Sequence, residues 1–200
     1  MKIIFLSIIG VIVIFILFQS FVNMPINKTE QQKYTLIRQY KDFEIRFYPS
    51  ATIATINSKA KTYNELSGPG FRKLAGYIFG GNEDKTKISM TSPVQMDIND
   101  SLSTMSFVMP SGYSKENLPK PNDSNVQIKN TAEEYIAVIR FGGYASDKDI
   151  KFYSDKLQNL LKENGISSFG NYRFLGYNPP FQFIGRRNEI IVEVEWKKNK

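Results

Sequence analysis

Glu193 and Glu195 stand two positions apart in the stretch Ile190-Ile191-Val192-Glu193-Val194-Glu195-Trp196. On an extended chain they share one face, about 7 Å apart. Two carboxylates at such a distance can act as acid and nucleophile, or acid and base, in hydrolysis. Solvent-facing glutamates on an edge strand produce the same alternation, which is the simpler account, and Glu133-Glu134 reads likewise as a solvated strand start. A second grouping, Arg186-Arg187-Asn188-Glu189, sets two guanidinium groups beside one carboxylate. A buried or half-buried pairing of Glu189 with an arginine would fix the last strand. The other reading is an anion-binding rim of Arg186 and Arg187 beside Phe181 and Phe183, because charge-assisted hydrogen bonds hold carboxylates and phosphates well.

Composition removes other chemistries. The 200 residues contain no histidine and no cysteine. A Ser-His-Asp triad, imidazole ligation, a thiolate zinc site, a cysteine nucleophile and a disulfide framework are all ruled out. There is no G-x-S-x-G elbow, no P-loop and no dinucleotide fingerprint. Net charge is +7, from 26 basic and 19 acidic residues, yet no Lys/Arg cluster exceeds Lys197-Lys198. That distribution argues against nucleic acid as a partner. It suits an anionic membrane surface or an anionic small molecule.

The elements that would position these residues can be read from periodicity. Residues 3–18, IIFLSIIGVIVIFILF, carry no charge. Extended to Val22, the run would span roughly 30 Å as a helix, the thickness of a bilayer core. It predicts an N-terminal transmembrane signal anchor over 1–23, single-pass, with the following domain on the non-cytoplasmic side of the membrane. A polar linker over 24–32, one domain over 33–196 and a basic tail over 197–200 complete the expected layout. Alternating stretches at 43–56, 104–109, 135–141 and 189–195 read as strands. Phe71, Leu74, Ala75 and Ile78 have helical spacing after Gly68-Pro69-Gly70, predicting a helix over 69–79. Ile150, Tyr153, Leu157, Leu160 and Leu161 predict a second over 147–163, opened by Ser146 with Asp149 three residues on. Each helix is followed by a Pro-bearing segment, at 90–94 and at 177–181, and then by a strand. Residues 114–130 read as a surface loop. The order predicts an α+β fold, a duplicated β-α-β-β unit making a mostly antiparallel sheet with both helices packed on it.

Within this frame lie several specific blocks. They are Gly80-Gly81-Asn82, Lys87-Ile88-Ser89-Met90-Thr91-Ser92-Pro93-Val94, Ser106-Phe107-Val108-Met109-Pro110, Arg140-Phe141-Gly142-Gly143-Tyr144, Gly176-Tyr177-Asn178-Pro179-Pro180-Phe181 and Arg186-Arg187-Asn188-Glu189-Ile190. In this order they resemble the signature segments of the SOUL heme-binding family, over about residues 34–196. The resemblance implies a distorted, barrel-like antiparallel sheet with two helices. It also implies reversible, non-covalent binding of heme or a related tetrapyrrole, by a carrier, buffer or sensor rather than an enzyme. The ligand-binding residues it points to are Phe71, Leu74, Tyr77 and Ile78 on the first helix, with Arg72 and Lys73 near the propionates. Phe181, Phe183, Arg186 and Arg187 are the next candidates. Gly76 leaves a spot where a flat ligand could approach the backbone. Some members are thought to ligate iron through histidine, a mode closed to this chain. Met90, Met96, Met105 and Met109 are thioether candidates, for which core packing is the plainer reading. Tyr63, Tyr77, Tyr144 and Tyr177 are phenolate candidates. The alternatives are an effector-binding-like domain for a different hydrophobic small molecule and, more remotely, a hydrolase of that architecture using a pocket glutamate.

Overall fold

β-Branched and aromatic residues at alternate positions build eleven strands among the described residues, which are 9–10, 12–14 and 29–196 of this computed structural model. In chain order the strands are β1 (Glu30–Gln31), β2 (Thr35–Gln39), β3 (Glu44–Tyr48), β4 (Thr52–Ser58), β5 (Thr91–Ser92), β6 (Val94–Asp97), β7 (Ser103–Val108), β8 (Val126–Asn130), β9 (Glu134–Phe141), β10 (Ser168–Gly176) and β11 (Asn188–Val194). Helix α1 (Tyr63–Ile78) follows β4, and α2 (Asp147–Glu163) follows β9. Nine strands form one sheet in the order β2-β3-β9-β11-β10-β6-β7-β4-β8, every neighbouring pair antiparallel. The short strands β1 and β5 pair separately and in parallel.

That order contains two copies of one plan. In β4-α1-β6-β7 and in β9-α2-β10-β11, the last strand lies between the other two. The two units meet where β6 pairs with β10. The hairpin β2-β3 extends one side and β8 the other. Because β2 and β8 do not pair, the ladder is open rather than closed into a barrel.

Several expectations need correction. The N-terminal transmembrane helix is not supported: no helix among the described residues is long and apolar enough to cross a membrane. Residues 9–10 and 12–14 are helical, and the rest of that run, with the tail 197–200, lies outside the described residues. The linker gives up Glu30–Gln31, which pair with β5. The stretch 43–56 is two strands, broken after Tyr48 at Pro49. The loop 114–130 contains β8. Between α2 and the Pro-bearing segment 177–181 stands a further strand, β10. Helix α1 opens at Tyr63 rather than at Pro69. Its N-cap is Thr62, whose side chain accepts from the Glu65 amide, while the Glu65 carboxylate accepts from the Lys61 amide. This near-relative of a capping box satisfies donors that a helix start leaves orphaned.

Gly68-Pro69-Gly70 therefore lies inside the helix, and packing explains Gly70. A Cβ there would meet Met105 Cε at 3.0 Å and Ile56 Cδ1 at 3.3 Å, so the bare backbone lets α1 settle onto β4 and β7. Both helices cover the same sheet face. Their buried Leu66, Leu74, Ile78, Leu157 and Leu161 join Ile56, Met105, Phe107, Ile139, Phe174 and Ile190 in one apolar core. Helix α2 carries the expected capping box, with Ser146 and Asp149 exchanging hydrogen bonds.

The opposite face holds a smaller cluster of Tyr48, Ile136, Val138, Leu175 and Ile191. At its centre Glu189, fully buried, lies opposite Arg140 in the β9–β11 ladder. Its carboxylate accepts from Arg46 Nη1 at 2.9 Å and Nη2 at 3.1 Å, from Arg187 Nε at 2.9 Å and Nη2 at 2.7 Å, and from Tyr177 Oη at 2.8 Å. Burial by itself would push the Glu189 carboxyl up; the Arg46 hydrogen bonds, the two guanidinium charges and Tyr177 outweigh it and hold the group below the ordinary carboxylate value. Burial and then the Glu189 charge push the Tyr177 hydroxyl far up, so it stays a neutral donor. Tyr34 lies against the Arg46 guanidinium at 4.2 Å, and Gln31 accepts from Arg187 at 3.4 Å. The chain before β2 thus roofs the cluster, which is why its residues are part of the fold.

Glu189→Gln leaves the largely buried Arg187 without a counter-charge and Arg46 with only the partly exposed Glu44, so urea denaturation should show a loss of about 3–5 kcal/mol. The native carboxyl is held low, so its stabilisation is complete above the unfolded value of about 4.3 and is lost as pH falls through the folded one. The stability of the parent should therefore fall on acidification more steeply than that of Glu189→Gln.

Candidate functional site

Helix α1 turns a strip of unlike residues to solvent. Pro69, Arg72, Lys73 and Gly76 are exposed along it, and Phe71 shows 39% of its surface. At positions 69, 72, 73 and 76 the spacing of three and four places these residues on one helical face. Nothing lies within 4 Å of where a Gly76 Cβ would be, so the backbone there is open from outside. The Arg72 side chain leans back along the helix, its Nη1 3.5 Å from the Cβ position of Gly68. Phe71 is anchored beneath by Phe107 of β7, ring centroids 5.3 Å apart. The strip therefore offers an open stretch of backbone and two cations, while Phe71 lies more than 100° round the helix from Gly76, at the margin of the buried face.

The other α1 residues expected at the site point inward. Leu74, Tyr77 and Ile78 are at most 2% exposed and pack in the main core. Tyr77 donates its hydroxyl to Pro119 O at 2.9 Å, and burial pushes that hydroxyl up to about 12. These three belong to the scaffold, because an amphipathic helix can present only one stripe to the sheet.

The loop between β10 and β11 carries the remaining candidates. Phe181 and Phe183 are about half exposed, and Phe183 meets Tyr144 edge-on. The arginines are engaged with the protein itself. Arg186 Nη1 donates to Pro179 O at 2.7 Å and Gln182 O at 2.8 Å, and its guanidinium lies 4.2 Å from the Tyr144 ring centre. Arg187 serves Glu189 and stacks on Tyr177 at 3.9 Å. The pairing of Glu189 with an arginine is thus present, and it includes Arg46 of β3, 143 positions away. Only the tertiary fold reveals that partner. Arg186 gathers the carbonyls of its own loop, and Arg187 is committed to Glu189.

Axial ligation has little to draw on. Met96, Met105 and Met109 are buried in the core, leaving Met90 half-buried. Tyr144 donates to Pro180 O and Tyr177 to Glu189, while burial pushes the Tyr63 phenol up. Among the described residues no group of acidic side chains is placed to hold a metal ion. Glu193 and Glu195 form no pair: Glu193 is half-buried on β11 and Glu195 is exposed beyond its end. Two concavities, of about 260 and 300 Å³, lie elsewhere, and none of the ten expected ligand residues lines either.

A family model described as SOUL heme-binding protein matches residues 29–193. Heme-binding protein 2 of Mus musculus is 31% identical over 156 residues, covering 74% of this chain and 76% of that protein. Heme-binding protein 1 of Xenopus laevis is 31% identical over 155 residues, covering 74% and 81%. Among solved structures, one described as a hydrolase from Listeria innocua matches with a TM-score of 0.58 at 10% identity, covering 80% of this chain and 94% of that one. The EcmrR C-terminal domain matches with a TM-score of 0.56 at 11% identity, covering 76% and 96%. Likeness at such low identity shows the fold alone.

The division of α1 into scaffold and surface can be measured. Leu74→Ala should cost about 2–5 kcal/mol in chemical denaturation, as cavities of that size do. Arg72→Ala and Lys73→Ala should each stay within about 0.5 kcal/mol of the parent. Arg186→Ala should instead speed limited proteolysis between 177 and 187, because the carbonyls it gathers lose their shared donor.

Proposed function

The chain belongs to the SOUL heme-binding protein family, and from that premise we propose that it binds heme or a related tetrapyrrole non-covalently on the outward strip of α1. Members of this family are binding proteins, not enzymes. The observation that carries the reading is the strip itself, where Pro69, the open backbone at Gly76, Arg72 and Lys73 lie on exposed ground. A macrocycle resting there would cover apolar surface, worth about 25 cal/mol per Å² buried. Its propionates would meet Arg72 and Lys73, whose charge-assisted hydrogen bonds are worth about 1.5–3 kcal/mol each. Heme would bring iron, but this strip presents no imidazole or thiolate to coordinate it. Affinity then comes from the ring face and the propionates. The protein would release its ligand readily, as suits a carrier, buffer or sensor.

Attachment of the protein to a lipid bilayer, with the domain on the non-cytoplasmic side, is part of the proposal. The attachment is supported by the uncharged run at 3–18.

Hemin titration of the full-length chain, followed at the Soret band beside iron-free protoporphyrin, tests the ligand. The two should bind within about tenfold of each other, since iron ligation adds little. The double variant Arg72→Ala, Lys73→Ala should weaken both by about 1–3 kcal/mol per lost pairing. Unchanged affinity in a normally folded double variant would sink the α1 assignment. In cell fractionation the full-length protein should sediment with membranes, and its recovery in the soluble fraction would refute the attachment.

A further inference from the structure

The loop between β10 and β11 turns its large apolar side chains outward. Phe181, Phe183 and Ile184 at its tip are each more than half exposed, and so is Tyr144. Tyr144 meets Phe183 edge-on and donates to Pro180 O at 2.8 Å, which joins it to the tip. No charged residue occurs from Asn178 to Gly185. Single exposed apolar residues are ordinary, but a cluster of them marks a contact surface.

The polar groups of the same loop are turned inward. Arg186 gathers Pro179 O and Gln182 O, and its Nη2 reaches Asn178 O at 3.4 Å. The buried Gln182 side chain donates to Ile184 O at 2.9 Å and accepts from Asn178 Nδ2 at 2.7 Å. Pro179 and Pro180 have no amide hydrogen to place. The carbonyls of 178, 179, 180, 182 and 184 are thus all met by the protein itself. Water would meet them equally well on a solvated loop. Lipid cannot, so backbone groups beside it must be satisfied from within. A peptide that adds by backbone pairing needs the reverse, a row of free groups.

The base of the loop also lies beside the N-terminal segment. The Arg187 amide donates to Asn178 Oδ1 at 2.6 Å, closing the loop, and Arg187 Nη1 donates to Gln31 of β1 at 3.4 Å. Seven residues, 23–29, stand between Val22 and β1. An extended chain covers about 3.5 Å per residue, so these bridge at most about 25 Å. A bilayer that takes up the uncharged run as far as Val22 therefore lies within that reach of the loop's base. We propose that the tip at 181–184, with Tyr144, is a second bilayer contact, seated at the boundary between headgroups and acyl chains. Aromatic side chains favour that boundary. The inference rests on the bilayer attachment of the chain and deepens it: the N-terminal run ties the chain to the lipid, and the loop decides which face of the domain meets it. The tip shares no residue with the α1 strip.

The chain has no cysteine, so Phe183→Cys gives the full-length protein a single site for a nitroxide label. Glu163→Cys is the control, exposed at the last residue of α2, about 25 Å along that helix from its first turn. Vesicles of phosphatidylcholine are the probe. Collisions of each label with oxygen, which concentrates in hydrocarbon, and with a water-soluble nickel chelate report its depth. On vesicles the label at 183 should gain oxygen collisions and lose nickel collisions, placing it about 5–10 Å into the interface. The label at 163 should stay aqueous. If Phe183→Cys fails to fold, Ile184→Cys is read the same way. Co-sedimentation with vesicles while the label at 183 stays as open to nickel as that at 163 overturns the loop contact and leaves the attachment standing. Absence of co-sedimentation refutes the attachment and the loop contact together. A label at 183 equally shielded without vesicles means that a second copy of the chain covers the tip, which also overturns the proposal.

Discussion

A carboxylate shut away from water stays ionised only where the protein replaces its hydration shell almost completely. Glu189 is such a group, and the architecture around it follows from meeting that demand. Its donors come from β3, from the entry to β11 and from the loop after β10. Each donor side chain brings a further obligation. Arg46 also bonds Glu44 and is covered by Tyr34, and Arg187 lies on Tyr177. The segment before β2 and the β10–β11 loop must therefore hold their places if the charges are to stay buried and matched. Replacing such a network with apolar residues can be thermodynamically neutral or better. The ionic version here ties β3, the β10–β11 loop and β11 to one another through a single carboxylate.

The opposite face obeys packing instead of charge. Two helices of one duplicated plan lie on it, and they are not used alike. Helix α1 comes so close to the sheet that a Cβ at Gly70 would crowd the side chains of Met105 and Ile56. Helix α2 sits over a strand that bulges at Gly170, and the mismatch leaves a recess. Duplication thus provides two similar junctions, and small departures from symmetry give each its own surface.

A tetrapyrrole site without histidine or cysteine separates holding a ring from coordinating its metal. The buried methionines are committed to the core, and the hydroxyls of Tyr77, Tyr144 and Tyr177 to protein acceptors. Apolar contact and charge pairing both act on the organic part of the ligand. At the proposed α1 site both would be open to solvent, which would favour exchange over storage.

Much of this was legible in the residues alone. The missing histidine and cysteine settle which chemistries are closed, since no fold can supply an absent side chain. The ordered blocks between Lys87 and Ile190 carry the family, and the periodicity at 150–161 with Ser146 and Asp149 marks α2. The duplicated order was readable because each helix interrupts a run of alternating residues. Local reading failed where a residue's meaning depends on a distant neighbour. Gly68-Pro69-Gly70 looks like a helix boundary until Met105 and Ile56 are beside it, although Thr62 with Glu65 was a usable signal for the true start. Strand β10 was hidden because Gly170 and the bulge break its alternation. Leu74, Tyr77 and Ile78 carry the same apolar signature as core or as pocket, and only the sheet packed beneath α1 assigns them to the core. Arg186 and Arg187 are adjacent in sequence, yet one gathers loop carbonyls and the other serves a buried glutamate with Arg46. Sequence determines which groups are available and their local periodicity. Only the tertiary structure decides which of them meet, because burial and charge pairing are properties of neighbours in space, and those neighbours come from strands far apart in the chain.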